Sequence, residues 1–184
     1  MSQPTVEARE QGVWRWWHPN GQLEREGHYA RGKANGPWRY FYDNGALLME
    51  GQLSEGSESG RWRGYYRAGG LRFEGSYVEG KEEGEWTTYD PKGEPLSRGR
   101  YEAGEKRGEW IYYHPNGQQR EVGRYDDAGR STGRWVQWYA NGQKKGEGEF
   151  IEGQRHGVWR WWRESGEPWR TIEYDHGAEV PSQL

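Results

Sequence analysis

Five histidines, a recurring glutamate and one Gly-Glu-Gly are the residues of this sequence best placed to do chemistry, and the chain has no cysteine. His18 and His114 each precede Pro-Asn-Gly. Two imidazoles share a metal only when their nitrogens sit about 2 Å from one ion. These two occupy the same position of a repeat, four units apart, so about 38 Å of sheet would separate them. His28, His156 and His176 fall at three different repeat positions without metal-ligand spacing, so no metal site is expected. Glu26, Glu50, Glu74 and Glu147 each stand just before a repeated glycine. Paired carboxylates about 6.5–9.5 Å apart serve inverting glycosidases, and neighbouring units would set these about 9.6 Å apart. That spacing follows from the repeat itself, and the side chains are expected on a solvated face as a ladder of surface acids. Gly146-Glu147-Gly148 lacks the following Gly-Lys-Ser/Thr and the helix of a phosphate loop. Without a Ser-His-Asp set or a thiol, no catalytic residue and no cofactor are expected, and the chain reads as a non-enzyme.

The elements that carry these residues are set by an internal repeat. From Gly12, steps of 24 residues reach Gly36, Gly60, Gly84 and Gly108; an extra residue near Asp126-Asp127 shifts the phase, and Gly133 and Gly157 follow. Two residues after each glycine stands a tryptophan, from Trp14 and Trp38 to Trp135 and Trp159. Five residues after it stands a second aromatic: Trp17, Phe41, Tyr65, Tyr89, Tyr113, Trp138 and Trp162. Another glycine lies nine residues on, four times as Asn-Gly, and six of the seven units carry a third, from Gly27 to Gly148.

Asn-Gly between aromatic-rich runs predicts a hairpin with a two-residue type I′ turn. With Asn20-Gly21 as that turn, Trp14 falls opposite Gly27, and likewise Trp62 opposite Gly75, with the ring expected over the glycine. Leu71, Phe73, Gly75 and Tyr77 are then expected on the face of Trp62, with Arg72, Glu74 and Ser76 pointing away. The second aromatic series, at an odd offset, goes to the opposite face unless a bulge returns it. Glycine this frequent excludes helix. The expected fold is all-β: an elongated single-layer antiparallel β-meander of about seven stacked hairpins. Residues 10–178 form the repeat domain, with a flexible N-terminal tail at 1–9 and a C-terminal tail at 179–184.

Composition agrees with a thin, ring-covered sheet. Only 31% of the residues are hydrophobic, yet 13 Trp and 13 Tyr supply large flat surfaces. The net charge is -3 with both signs interspersed, and no basic cluster stands out. Nucleic acid and membrane surfaces are therefore not expected partners. Met1 to Glu10 is polar, without the apolar run of a secretory leader, so the cytoplasm is the expected compartment.

Gly108-Glu109-Trp110-Ile111-Tyr112-Tyr113-His114-Pro115-Asn116-Gly117, with Glu74-Gly75-Ser76-Tyr77 as the second half, resembles the MORN-repeat variant found in many bacterial proteins. The resemblance covers about residues 10 to 178. It implies a scaffold that holds other molecules, and relatives include antitoxin-like proteins.

The leading expectation is a non-catalytic protein-binding scaffold, of antitoxin or immunity type, that occludes another protein. The alternative is a carbohydrate or cell-wall binding module with aromatic stacking surfaces. Trp, Tyr and Arg dominate binding hot spots. The candidates are the residues the repeat does not demand: Trp16, Trp17, Trp161 and Trp162, flanked by Arg15 and Arg160. Capping of open edges, or homo-oligomerisation through like ends, is the competing use of these rings.

Overall fold

The computed structural model describes residues 11–181. The expected tail at 1–9 lies outside the described residues, as do 182–184. The chain is all-β, and its antiparallel strands follow one another in chain order from β1 to β15. No described helix is long and apolar enough to cross a membrane. Two compact units divide the described residues, one running to Glu83 with Pro91–Gly93 and the other comprising Gly84–Asp90 and the residues from Glu94 on.

The first unit holds β1 (Gly12–Trp17), β2 (Leu23–Ala30), β3 (Lys33–Phe41), β4 (Leu47–Ser54), β5 (Ser57–Tyr65) and β6 (Leu71–Val78). The strand β7 (Lys81–Tyr89) leads into the second. There follow β8 (Pro95–Glu102), β9 (Glu105–Tyr113), β10 (Gln119–Tyr125), β11 (Ser131–Trp138) and β12 (Lys144–Ile151). The last three are β13 (Gln154–Trp162), β14 (Pro168–Asp175) and β15 (Ala178–Glu179). Glu179, assigned to the tail by sequence, pairs with Tyr174.

Trp14 pairs with Gly27 and Trp62 with Gly75, as the sequence predicts. The turn is nevertheless a different one. Gly21 N–H donates to the His18 carbonyl at 2.9 Å and His18 N–H to the Gln22 carbonyl at 2.8 Å. That is a three-residue loop, a type I turn closed by a left-handed glycine at φ 84°. None of the asparagines has positive φ. The extra loop residue is offset by a bulge at Glu24, where pairing passes from Trp16↔Arg25 to Trp17↔Leu23. The two one-residue changes cancel, which is why a wrong turn yields the right register. Asparagine instead ties one turn to the next. Asn20 Oδ1 accepts from Gln22 N–H at 3.0 Å, and its Nδ2 donates to the Asp43 carbonyl of the following turn at 2.6 Å. Asn44, Asn116 and Asn141 repeat this bridge.

Two-residue type I′ turns do occur, at the links between repeats. Arg31-Gly32, Glu55-Gly56, Ala103-Gly104, Glu152-Gly153 and His176-Gly177 all have positive φ at both positions. The inserted residue near Asp126 replaces one such link by a three-residue loop, with Asp126 N–H on the Arg130 carbonyl at 2.8 Å. The bulge at position 72 also corrects the expected faces: Leu71 pairs with Tyr65 on the reverse face, and the Arg72 guanidinium lies 5.4 Å from the Phe73 ring on the other.

The core lies on the tryptophan face. In the first unit it is Trp38, Leu53 and Trp62; in the second, Trp86, Trp110, Trp135, Trp159 and Tyr174. At Gly27, Gly51, Gly99, Gly123 and Gly148 the ring comes from the following repeat, not from the hairpin partner as the sequence predicts. A Cβ on Gly51 would overlap the Trp62 ring, and one on Gly27, Gly99, Gly123 or Gly148 the ring of Trp38, Trp110, Trp135 or Trp159. The indole of Trp62 then donates to the Gln52 carbonyl at 3.1 Å, and that of Trp159 to the Glu149 carbonyl at 3.0 Å. In the second unit tyrosine and phenylalanine fill the gaps edge-on, as in Trp110–Tyr125–Trp135–Phe150–Trp159 at 6.2, 5.4, 5.5 and 5.2 Å between centroids.

Candidate functional site

Beside the buried tryptophans on the same face runs a second row, mostly half-exposed and varied among the repeats. In the first unit cross-strand pairing orders it as Trp16, Arg25, Tyr40, Met49, Gly64 and Phe73. In the second it continues from Tyr112 through Glu121, Gln137, Gly146 and Trp161 to Arg170. Small and large residues compensate: a Cβ on Gly64 would meet the Phe73 ring, and one on Gly146 the Trp161 ring. The buried row holds the fold, and the repeat does not dictate the residues of the variable row.

The row has built-in rigidity. Trp16 stacks on Trp38 at 5.7 Å, and the Arg25 guanidinium lies 4.5 Å from the Trp16 ring. Trp161 stacks on Trp159 at 5.4 Å, with Arg155 over both rings. Tyr112 Oη lies 2.9 Å from Tyr125 Oη, and Lys106 Nζ donates to Tyr112 Oη at 2.7 Å. Burial raises the Tyr112 hydroxyl far above the ordinary tyrosine value, and burial lowers the Lys106 ammonium.

Two adjoining hollows open on this face of the second unit. One, about 460 Å³, is lined by His114, Arg120, Glu121, Gln137, Tyr139 and Lys145 among others. The other, about 250 Å³, shares Tyr139 and Lys145 and adds Trp161, Trp169, Arg170 and Tyr174 among its walls. Arg120, Lys145 and Trp169 all occupy the bulge position, which a bulge-free register points to the wrong side; their variation among repeats was the available signal. Arg120 lies over Tyr112 at 5.7 Å and Lys145 over Tyr139 at 5.7 Å. His114 and His18 are latches between repeats: each Nε2–H donates to a backbone carbonyl of the next unit, Trp138 at 2.8 Å and Phe41 at 3.0 Å. Tyr42 and Tyr139 do the same with their hydroxyls.

The six residues singled out from sequence divide between the two faces. Trp16 and Trp161 belong to the variable row. Arg15 pairs with Glu26 and Arg160 with Glu147 on the reverse face. Trp17 and Trp162 pair there with Leu23 and Pro168. Trp17 is 58% exposed, while Trp162 is half-buried with the Lys144 ammonium 5.1 Å from its ring. The second aromatic series therefore stays on the reverse face, as Tyr65 donating to Glu50 at 2.9 Å also shows. The recurring glutamates lie on that face, held by cations or hydroxyls. Glu26 sits between Arg15 (3.0 Å) and Arg39 (3.4 Å), and Glu147 between Arg134 (2.6 Å) and Lys144 (3.0 Å). The hydrogen bond from Arg134 holds the Glu147 carboxyl below its usual range.

One cluster is not apparent from the sequence. His156 and His176, which show no ligand spacing along the chain, have ring centroids 5.2 Å apart with Asp175 between their Nδ1 atoms.

Comparison with known proteins gives one family. Segments 10–30, 34–54, 82–103, 106–127, 131–152 and 155–176 match the MORN repeat variant. The unmatched third unit has the same Trp62↔Gly75 register as its neighbours. No curated protein matches. Among solved structures, the crystal structure of the GtfA/B complex bound to UDP and GlcNAc is similar over 62% of this chain and 22% of that one, at 16% identity and a TM-score of 0.25. A likeness of that size bears on neither the fold nor the activity.

Proposed function

The chain belongs to the MORN repeat variant family, and we propose that it is a scaffold without catalytic activity that binds another protein through the variable row of its tryptophan face. The observation that carries this is the division of labour on one face. A tryptophan series repeats in every unit, buried from Trp38 onward, and beside it lies a row, mostly half-exposed, whose residues the repeat does not dictate. Trp161 is held by stacking and Tyr139 by a hydrogen bond, Trp169 is 60% exposed near them, and Arg120, Lys145 and Arg170 are cations beside these rings, a composition suited to an interface core with a charged rim. The finer form of the reading is an antitoxin- or immunity-type protein that covers its partner's working surface. Its support is the resemblance of the repeats and a face already rigid before binding, which lowers the ordering cost of association.

Affinity capture from the native host with the intact chain and with Trp161→Thr tests the reading. A protein retained by the first and lost by the second, with both equally folded by circular dichroism, supports it. Retention unchanged by Trp161→Thr moves the site off this row. The 250 Å³ hollow with its Trp161 and Trp169 walls also favours a second reading, stacking of a sugar ring. Binding to insoluble glycan in place of any protein would select it.

A further inference from the structure

We propose that His156, Asp175 and His176 form a binding site for a zinc-class divalent cation that staples the last turn of the sheet to β13. His156 lies in β13, Asp175 ends β14, and His176 opens the type I′ turn that follows. Gly177 N–H donates to the Arg155 carbonyl at 2.8 Å, which seats that turn directly beside His156. The candidate ligand atoms of all three side chains lie within 4.8 Å of one another. His176 Nδ1 is 2.7 Å and His156 Nδ1 3.7 Å from the same Asp175 oxygen.

Two imidazole nitrogens and a carboxylate oxygen converge on one point; His176 Nδ1–H donates to Asp175 Oδ1 at 2.7 Å, and a cation in place of that proton would be within reach of all three groups. Ligands about 2.0–2.2 Å from a tetrahedral ion stand about 3.4 Å apart, and the two measured separations bracket that value. His156 Nδ1 is buried without a hydrogen-bond partner in the protein, the condition a coordinate bond would relieve. The donor set also selects the ion. Two nitrogens and one oxygen suit Zn²⁺, or Ni²⁺, Co²⁺ and Cu²⁺, whereas Mg²⁺ and Ca²⁺ prefer oxygen throughout. Three protein ligands leave a fourth position for water or an incoming group.

The repeat does not call for this set. The positions of His156 and His176 are held by Asn35 and Glu55 in one earlier unit, and by Thr132 and Glu152 in another. Only the last unit combines two histidines with an aspartate. It is also the unit whose final strand, β15, has two residues and needs another tie. A metal bound only by the folded turn stabilises it by mass action.

The test is calorimetric titration of the intact, chelator-treated chain with ZnCl₂ and separately with MgCl₂. The same titrations are run on His156→Gln, His176→Asn and, as a control, His28→Asn. Asparagine at 176 tolerates the left-handed backbone there (φ 46°). Hydrogen exchange of residues 168–179 with and without zinc gives a second readout. The expected result is one saturable zinc site with no magnesium binding, weakened more than about tenfold by either His156→Gln or His176→Asn. The His28→Asn control keeps full affinity, and zinc slows exchange in the last turn. Absence of saturable zinc binding overturns the proposal, as does binding that survives both substitutions or that magnesium matches. Should His156→Gln fail to fold, His176→Asn at the exposed turn decides alone.

Discussion

At the scale of single residues, the glycines divide by mechanism. Gly36 has φ 97°, a conformation that side chains resist, while Gly51 has an ordinary backbone and is required by space alone. Trp62 is fully buried, its ring against the Gly51 backbone and its indole fixed on the Gln52 carbonyl. The ring therefore cannot yield without losing both. Gly51→Ala should destabilise by about 1–3 kcal/mol, the usual cost of overpacking, measured as a urea midpoint shift at constant slope. An unchanged midpoint would mean that the Trp62 ring can move away. Trp16 and Trp161, by contrast, are legible as surplus from sequence, because neither fills a space that every unit demands. Their face was legible too, since each stands two residues after a tryptophan of the repeated series.

At the scale of elements, the existence and pairing of the hairpin strands could be read from the period, because a glycine opposite a tryptophan recurs in nearly every unit; the fifteenth strand, β15, lies beyond the last hairpin and could not. Turn type could not. Asn-Gly fits both a type I′ turn and a type I turn closed by glycine, and only the bond from asparagine to the next turn, invisible in one hairpin, distinguishes them. The histidine cluster was hidden for a related reason, since β13 and the last turn meet by sheet pairing and not by spacing. The loop at Asp126 is a further case. Its carboxylate accepts from the N–H groups of Ala128 and Arg130, each at 2.9 Å, and from the Arg130 guanidinium. The Arg130 backbone bond first, with the Ala128 and guanidinium bonds, holds its pKa below the ordinary 3.8. A carboxyl depressed in the folded state contributes stability above its unfolded pKa and loses it as pH falls through the folded value. Asp126→Asn keeps an acceptor but cannot titrate. Its stability should therefore depend less on pH below about 4 than that of the parent, as thermal melts across the acid range would show. Parallel acid limbs would remove Asp126 as a contributor to acid unfolding.

At the scale of the whole molecule, Trp38 and Trp62 in the first unit and Trp110, Trp135 and Trp159 in the second each sit on the glycine of the repeat before, so the repeats of each unit have a direction. Stability in such arrays is a sum of unit and neighbour terms, and opening begins at the ends. β1, an end strand, and β13, the last strand that carries a buried tryptophan, differ here. Losing β1 exposes Trp14 and Trp16 but leaves Trp38 seated on Gly27, because that ring comes from β3. Losing β13 strips Trp159 from Gly148, together with its edge-on contact to Phe150 at 5.2 Å and its bond to the Glu149 carbonyl. β1 is already the more open strand, with Val13 50% and Trp17 58% exposed, whereas Trp159 is fully buried. Native-state hydrogen exchange should therefore show β1 amides opening first, well before those of β13. Within the first unit the slowest amides should flank Trp62, which packs with Trp38 and Leu53. The ordering is checked by mass spectrometry on peptides covering residues 12–17, 57–65 and 154–162. If β13 opened as early as β1, the tryptophan of the following repeat would not be what holds each glycine strand, and the direction of the repeats would carry no energetic weight.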